Sequence, residues 1–386
     1  MSECAAGSGG DDGCIGVCTN TVLEVADAVS LPVFGSPVAA VQRHIMQSGQ
    51  QHIIVRVFDW LSRGQPVWLC TILQTWGSSP RPIGSMMACT PDGELAGSIS
   101  GGCIEEDFLG QLRDGTLKTQ YEQERKPFIV KYGITAEQAA RLRLPCGGQL
   151  HVLLEYIAPS DDNKQIFGEL ANALDNHHPI SREVNLNTGS IRVHRGSADE
   201  AVVLNDETML HSLSPKYKLL LLGAGDVARY VAEMALALEY EVTLCDPRPD
   251  YLGNWHVDGV HVTSELPDDV VRDGFSDPYS GVIALAHDPR VDDMALMEAL
   301  KTDAFYVGAM GSDRTSANRR LRLPELGLTP EEIDRLYAPI GLPIGSKTPA
   351  EIAISVMAQV TQVRHARDAR VLGGQCASAL EAPVCR

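Results

Sequence analysis

Two cysteines in the first half of the chain stand beside paired glycines: Cys103 in Gly101-Gly102-Cys103-Ile104-Glu105-Glu106, and Cys146 in Cys146-Gly147-Gly148. The first motif puts a thiol between an expected strand and an expected helix. A helix N-terminus lowers a thiol pKa, and a thiolate there could carry sulfur or touch a metal centre. Glu105 and Glu106 oppose that shift if they point back at the sulfur; Glu105 joins Cys103 and Cys146 among the candidate catalytic residues. The plain alternative for Cys103 is a small residue packed in a tight turn. Cys70, Cys89 and Cys245 lie in apolar runs, where cysteine behaves as a small buried hydrophobe. Cys4, Cys14 and Cys18 lie in a Gly/Asp-rich tail, and Cys376 and Cys385 in an Ala/Gly tail; the first three lack the paired short spacings of a zinc module.

A second chemistry is written in Gly223-Ala224-Gly225-Asp226-Val227-Ala228, which follows an expected strand and opens an expected helix, as a dinucleotide fingerprint does. Gly223 permits the tight turn, Gly225 lets backbone approach a pyrophosphate, and Ala228 allows helix to pack on strand. Asp246 closes the next strand, where a carboxylate can take a ribose hydroxyl, and Arg248 would instead favour a 2′-phosphate, so NAD and NADP both stay open. Asp226 is an oddity, because a carboxylate at the helix entrance repels phosphate. Further on, Gly311, Ser312 and Arg314 open a polar helix containing Arg319 and Arg320, either an anion-holding end or an arginine-rich solvated helix. His287, in His287-Asp288-Pro289, follows a strand and is a candidate acid/base group or a turn histidine. Thr348-Pro349-Ala350-Glu351 reads as a capping box.

The elements that must position these groups fall into two sets. Helical spacing is expected over Val38–Arg63, a strand over Val67–Gln74, a hairpin of Met86–Thr90 and Leu95–Ser98, and a helix over Ile104–Leu112. Pro127–Tyr132 and Gln149–Tyr156 read as strands, and residues 160–214 as a polar helix, two short strands and turns. From Lys216 apolar strands alternate with amphipathic helices, the pattern of a doubly wound parallel sheet. The expected organisation is a tail over 1–37, an α+β domain over 38–214, a Rossmann-like α/β domain over 215–366 and a second tail over 367–386. The chain of 386 residues has formal charge −18, which disfavours a nucleic-acid binder. Its apolar runs are strand length, far short of the ~20 residues of a membrane span. Ten cysteines without a secretory signal at the start read as reduced thiols in a cytoplasmic protein.

The motifs together resemble the XdhC and CoxI family of molybdenum-hydroxylase maturation factors. The resemblance is carried by residues 77–84 (GSSPRPIG), 97–105 (GSISGGCIE) and Cys146-Gly147-Gly148, then by Gly223–Ala228, His287-Asp288-Pro289, Tyr306–Ser312 and residues 338–345 (APIGLPIG). It implies a protein that binds the molybdenum cofactor, as molybdopterin or its cytosine dinucleotide form. Such a protein protects the cofactor during sulfuration and passes it to a xanthine dehydrogenase- or aldehyde oxidase-type apo-enzyme, with a cysteine desulfurase as second partner. Carried over by residue, Ser79, Arg81, Gly101, Gly102 and Cys103 face the cofactor, with Cys103 the candidate contact to molybdenum. The two glycine turns add Gly223, Gly225, Asp246, Gly311, Ser312 and Arg314 as candidate cofactor-binding residues. The family commonly has His where this chain has Asp226. An NAD(P)-dependent oxidoreductase using His287, and a sulfurtransferase cycling through a Cys103 persulfide, are the alternatives; a homodimer is compatible with each.

Overall fold

The computed structural model describes residues 49–371 apart from 77–80, 134–148, 197–199 and 254, and gives the backbone alone for Cys103 and for residues 369–371. Ser79, Cys146, the cysteine-bearing tails and the proposed helical start at Val38 lie outside the described residues.

The first domain is built on the strand β1, Val67–Trp76, whose first seven residues are all buried. A strand buried on both faces needs a cover on each, and alternate side chains meet different covers. Leu69 and Leu73 pack with Ile53, Val57 and Trp60 of α1 (Gln50–Ser62) and with Phe167, Leu170 and Leu174 of α4 (Asp161–Asp175). Trp68, Cys70 and Ile72 meet Ile104 and Phe108 of α2 (Cys103–Arg113) and Leu117 of α3 (Thr116–Glu124). The sheet is antiparallel with order β3-β2-β1-β5-β4, where β2 is Met86–Cys89, β3 Leu95–Gly97, β4 Phe128–Tyr132 and β5 Gln149–Ile157. Both strands of the expected hairpin are therefore in place.

Residues 180–213 depart from the expectation of two strands. They form four, β6 (Ile180–Asn185), β7 (Ile191–Arg195), β8 (Val202–Leu204) and β9 (Thr208–Leu213), in an antiparallel sheet of order β7-β6-β9-β8. Strands of three to six residues carry too few alternations to stand out in sequence. Only Val184, Ile191, Val202, Met209 and a few neighbours point inward, and they complete the core on the α1 and α4 side of the first sheet.

The second domain has a wholly parallel sheet of order β12-β11-β10-β13-β14-β15. Its strands are β10 (Lys218–Leu222), β11 (Glu241–Cys245), β12 (His261–Thr263), β13 (Ser280–Ala284), β14 (Tyr306–Ala309) and β15 (Leu336–Tyr337). The order reverses between β10 and β13, the place where open α/β sheets form a crevice beyond the strand ends. The helices α5 (Asp226–Ala237) and α9 (Pro349–Val371) cover one face; α6 (Pro267–Gly274) and α7 (Pro289–Ala299) cover the other. The helix α8 (Asp313–Arg322) follows β14.

The expected tail from residue 367 is corrected, because α9 runs on to Val371. Its charged end is held by an aromatic cluster. Arg364 lies 5.6 and 5.1 Å from the ring centroids of Tyr217 and Tyr240, Arg367 stacks on Tyr279 and donates to the Pro278 carbonyl, and Asp368 accepts from the Tyr217 hydroxyl. Cys70, Cys89 and Cys245 are buried free thiols, and burial pushes Cys89 and Cys245 up to about 12. Among the described residues no helix is long and apolar enough to cross a membrane.

Candidate functional site

The turn between β3 and α2 is organised by Glu105. Its side chain reaches back from the first turn of the helix and accepts six hydrogen bonds. Four come from the backbone N–H groups of Ile99 (2.8 Å), Ser100 (2.8 Å), Gly101 (3.3 Å) and Gly102 (2.9 Å), and two from the hydroxyls of Ser98 (2.7 Å) and Ser100. Ser100 Oγ in turn accepts from the Ile104 N–H at 2.9 Å. The backbone needs glycine here: Gly101 has φ +84° and Gly102 φ +142°. Burial raises the cost of ionising Glu105, but the hydrogen bonds from the Ser100 hydroxyl and amide and from Ser98 outweigh it, holding the carboxyl at about 2. The four amides that could have cradled an external anion are filled from within. The turn therefore serves as a rigid mount for the first residue of α2, Cys103, and puts a permanent negative charge near it.

A second turn, reached from the end of β1, carries Arg81. Its exit is fixed at Gly84, whose N–H donates to the Ile72 carbonyl (2.9 Å) and whose carbonyl lies 3.0 Å from His211 Nε2 and 3.3 Å from Gln50 Nε2. His211 is fully buried; burial first, then the Arg182 charge, push its pKa down to about 3, so it is a neutral imidazole. Arg182 Nε faces His211 Nδ1 at 3.4 Å, which makes Nδ1 the acceptor and leaves Nε2–H to donate to Gly84. The Arg182 guanidinium, fully buried, grips both Glu155 oxygens at 2.9 Å and the Thr71 hydroxyl at 2.8 Å. This network joins β6 and β9 of the four-stranded sheet to β1 and β5 and ends on the Arg81 turn. Sequence reasoning missed Arg182, Glu155 and His211; the available signal was a charged residue within an otherwise apolar stretch of strand, Glu155 in VLLEYI.

In the second domain the fingerprint turn has the expected form. Gly223 has φ +98°, and a Cβ there would sit 2.4 Å from Ala286 Cα. Ala228 is fully buried against the sheet, and Gly225 opens α5 with space above it. Asp246 is at the end of β11 as expected, yet its carboxylate is already engaged. It accepts from Arg248 Nε and Nη2, both at 2.8 Å, and from the Ala224 N–H at 3.0 Å, and it has no exposed surface. Arg248 stacks on Tyr251, 4.0 Å from its centroid. The pair closes the corner where an adenosine ribose would be recognised.

The open part of the crevice lies on the other side of the switch point. His287, with φ +56°, lines a cavity of about 590 Å³ together with Gly311, Ser312, Thr315, Asn318 and Arg322. Ser312 caps α8 through the Thr315 N–H (3.2 Å). Of the arginines expected to hold an anion, Arg319 is buried and paired with Asp292 (3.0 Å) and Asp293 (2.8 Å), and Arg320 donates to the carbonyls of Ile333 and Leu336. Arg314 is exposed at the helix start. Burial keeps Asp292 protonated to about pH 6 despite Arg319. The expected capping box at α9 is present, Glu351 accepting from the Thr348 N–H at 2.9 Å. The structure thus gathers Gly101, Gly102, Cys103 and Glu105 at one turn, and His287, Gly311 and Ser312 at one crevice of the other domain. Among the described residues no three His, Cys, Asp or Glu side chains are grouped to hold a metal.

Residues 219–360 match the family model described as the XdhC Rossmann domain, and residues 60–133 that of the XdhC and CoxI family. A protein of Escherichia coli (strain K12) described as molybdenum cofactor insertion chaperone PaoD is 25% identical over 311 residues, covering 79% of this chain and 85% of that protein. A Bacillus subtilis (strain 168) protein described as a probable xanthine dehydrogenase component is 24% identical over 320 residues, covering 77% of this chain and 92% of that protein. A crystal structure from Bacillus halodurans, described as a xanthine dehydrogenase, superposes with a TM-score of 0.62 at 25% identity over 84% of this chain and 98% of that one. With one match on each domain and relatives aligned across both, the chain belongs to the XdhC and CoxI family.

Proposed function

We propose that this chain is a carrier of the molybdenum cofactor: it binds the cofactor, shelters it while the terminal sulfido ligand is installed, and inserts it into a molybdenum hydroxylase of the xanthine dehydrogenase or aldehyde oxidase type. The observation that carries the reading is the alignment across both domains with a relative described as a molybdenum cofactor insertion chaperone. The geometry supports it in kind. A cysteine mounted on a pinned turn at a helix start is suited to a soft, sulfur-rich metal centre, and Glu105 holds that turn without offering a group for turnover. In this reading Cys103 contacts the cargo, Cys146 is the second thiol, and Ser79 and Arg81 face the cofactor. The crevice at His287, Gly311 and Ser312 takes the phosphates of a cytosine dinucleotide form, and a cysteine desulfurase delivers the sulfur.

A dinucleotide oxidoreductase is supported less, because the Asp246 carboxylate that would take a ribose hydroxyl is occupied by Arg248 and Ala224. The test is reconstitution. Cofactor-loaded protein is mixed with a molybdenum-free xanthine dehydrogenase-type apo-enzyme, and hydroxylase activity should rise in proportion to the pterin leaving the carrier. Equal recovery with free cofactor alone, or steady NAD(P)H turnover by the carrier itself, overturns the reading.

A further inference from the structure

The five-stranded sheet carries a cavity at the end remote from the Gly-Gly-Cys turn. Trp68, near the start of β1, lies directly across from Tyr156 of β5, and their rings meet edge to face at 5.2 Å. Tyr121 of α3 closes the group, 4.8 Å from Tyr156 and 6.0 Å from Trp68, while Phe128 braces Trp68 at 6.3 Å. Because Trp68 is only 2% exposed and Tyr156 is set by strand register, this aromatic wall is built before any ligand arrives. The cavity beside it holds about 320 Å³, with Leu112 and Pro91 as further apolar lining.

The rim has a different character. Lys118, Glu122 and Arg125 line it, on a chain whose overall charge is −18, with Glu122 loosely paired with Lys118 at 3.9 Å. Arg125 ends α3 at φ +54° and anchors its Nε on the Glu122 carbonyl at 3.2 Å, which sets the guanidinium at the mouth. An aromatic wall asks for a flat ring to stack, two cations ask for an anion, and a carboxylate on the same lining accepts from an exocyclic amino group. The volume is at the small end of ligand pockets, right for one heterocycle with its phosphate and too small for a dinucleotide. The helix α2 begins at the Gly-Gly-Cys turn and ends here, about 15 Å on at 1.5 Å per residue, so this is a separate site.

We propose that this slot binds a planar amino-heterocycle carrying a phosphate, its ring on Tyr121 and Tyr156, its phosphate at Lys118 and Arg125, and its amino group at Glu122. The site is additional to those of the carrier reading; its cargo arm rests on that reading and its nucleotide arm does not. Two sources share this chemistry, a free nucleoside monophosphate and the pterin phosphate of a cargo, and one experiment separates them. AMP, GMP and CMP are titrated calorimetrically into the full chain purified without molybdenum, and pterin retained per chain is measured after expression in a cofactor-producing host. Both are repeated with Tyr121→Leu and with the exposed pair Lys118→Gln/Arg125→Asn, in which Asn tolerates the left-handed backbone at 125. Thermal melts check that each variant is folded.

Saturable binding of a nucleotide that weakens roughly tenfold in both variants and falls with added salt supports the site with a free nucleotide as ligand. No nucleotide binding, but pterin retention that drops in both folded variants, supports it with the cargo as ligand. Nucleotide binding and pterin retention both unchanged by the two variants, or neither ligand detected at all, overturns the proposal.

Discussion

Replacing Glu105 by Gln should cost most of the stability that the loop carboxylate contributes, and the cost should shrink in acid. The carboxyl is held at about 2 against an ordinary 4.5; at about 1.4 kcal/mol per pH unit this is about 3 kcal/mol at neutral pH. A depressed carboxyl contributes stability that is complete above its unfolded value and is lost as pH falls from about 4.5 toward 2. Gln retains one oxygen, yet its NH2 would face the Gly102 N–H, donor against donor. Urea unfolding of both proteins from pH 7 to pH 2.5 gives the difference curve. The expected result is a gap of about 3 kcal/mol above pH 5 that shrinks to about 1 kcal/mol by pH 2.5, with faster hydrogen exchange at the amides of Ile99, Ser100 and Gly102 in the variant. A gap under about 1 kcal/mol, or one independent of pH, refutes the assignment of Glu105 as the organiser of the turn.

His211→Gln keeps a donor for the Gly84 carbonyl but removes the titration. Wild-type stability should fall below pH 6.5 by up to about 1.4 kcal/mol per pH unit from this residue, since the folded protein refuses the proton until about pH 3, and the variant should lack that slope. Arg319→Met leaves buried Asp292 without its cationic partner while Asp293 keeps Arg322, and denaturant titration should show a loss of about 3 kcal/mol. Gly223→Ala meets both the Ala286 backbone and a left-handed φ, so a loss of at least about 2 kcal/mol is expected in the same assay.

The legible parts of this protein are those in which residue type alone dictates backbone. Gly223 and the Gly101-Gly102 pair occupy left-handed conformations that few other residues adopt, and a strand such as Lys218–Leu222, apolar at four successive positions, has no place but a covered sheet. The illegible parts are those assembled from afar. Arg182 is 27 residues from Glu155 and 111 from Thr71, and no local pattern announces such a pairing. Arg248 is only two residues from Asp246, yet its clamp could not be foreseen, because either solvent or a ribose would satisfy the same carboxylate in an extended chain. The last turns of α9 read as tail because their polar face is covered by Tyr217, Tyr240 and Tyr279, and a surface that binds arginine through ring faces leaves no apolar stripe on the helix.

The carrier account stands or falls on what the protein holds. Wild type and Cys103→Ala are purified anaerobically from a host that makes the cofactor, and molybdenum and oxidised pterin are measured per chain, with a thermal melt to show that the variant is folded. The account predicts both metal and pterin on the wild type and much less of each on the folded variant; a wild type that carries neither contradicts it.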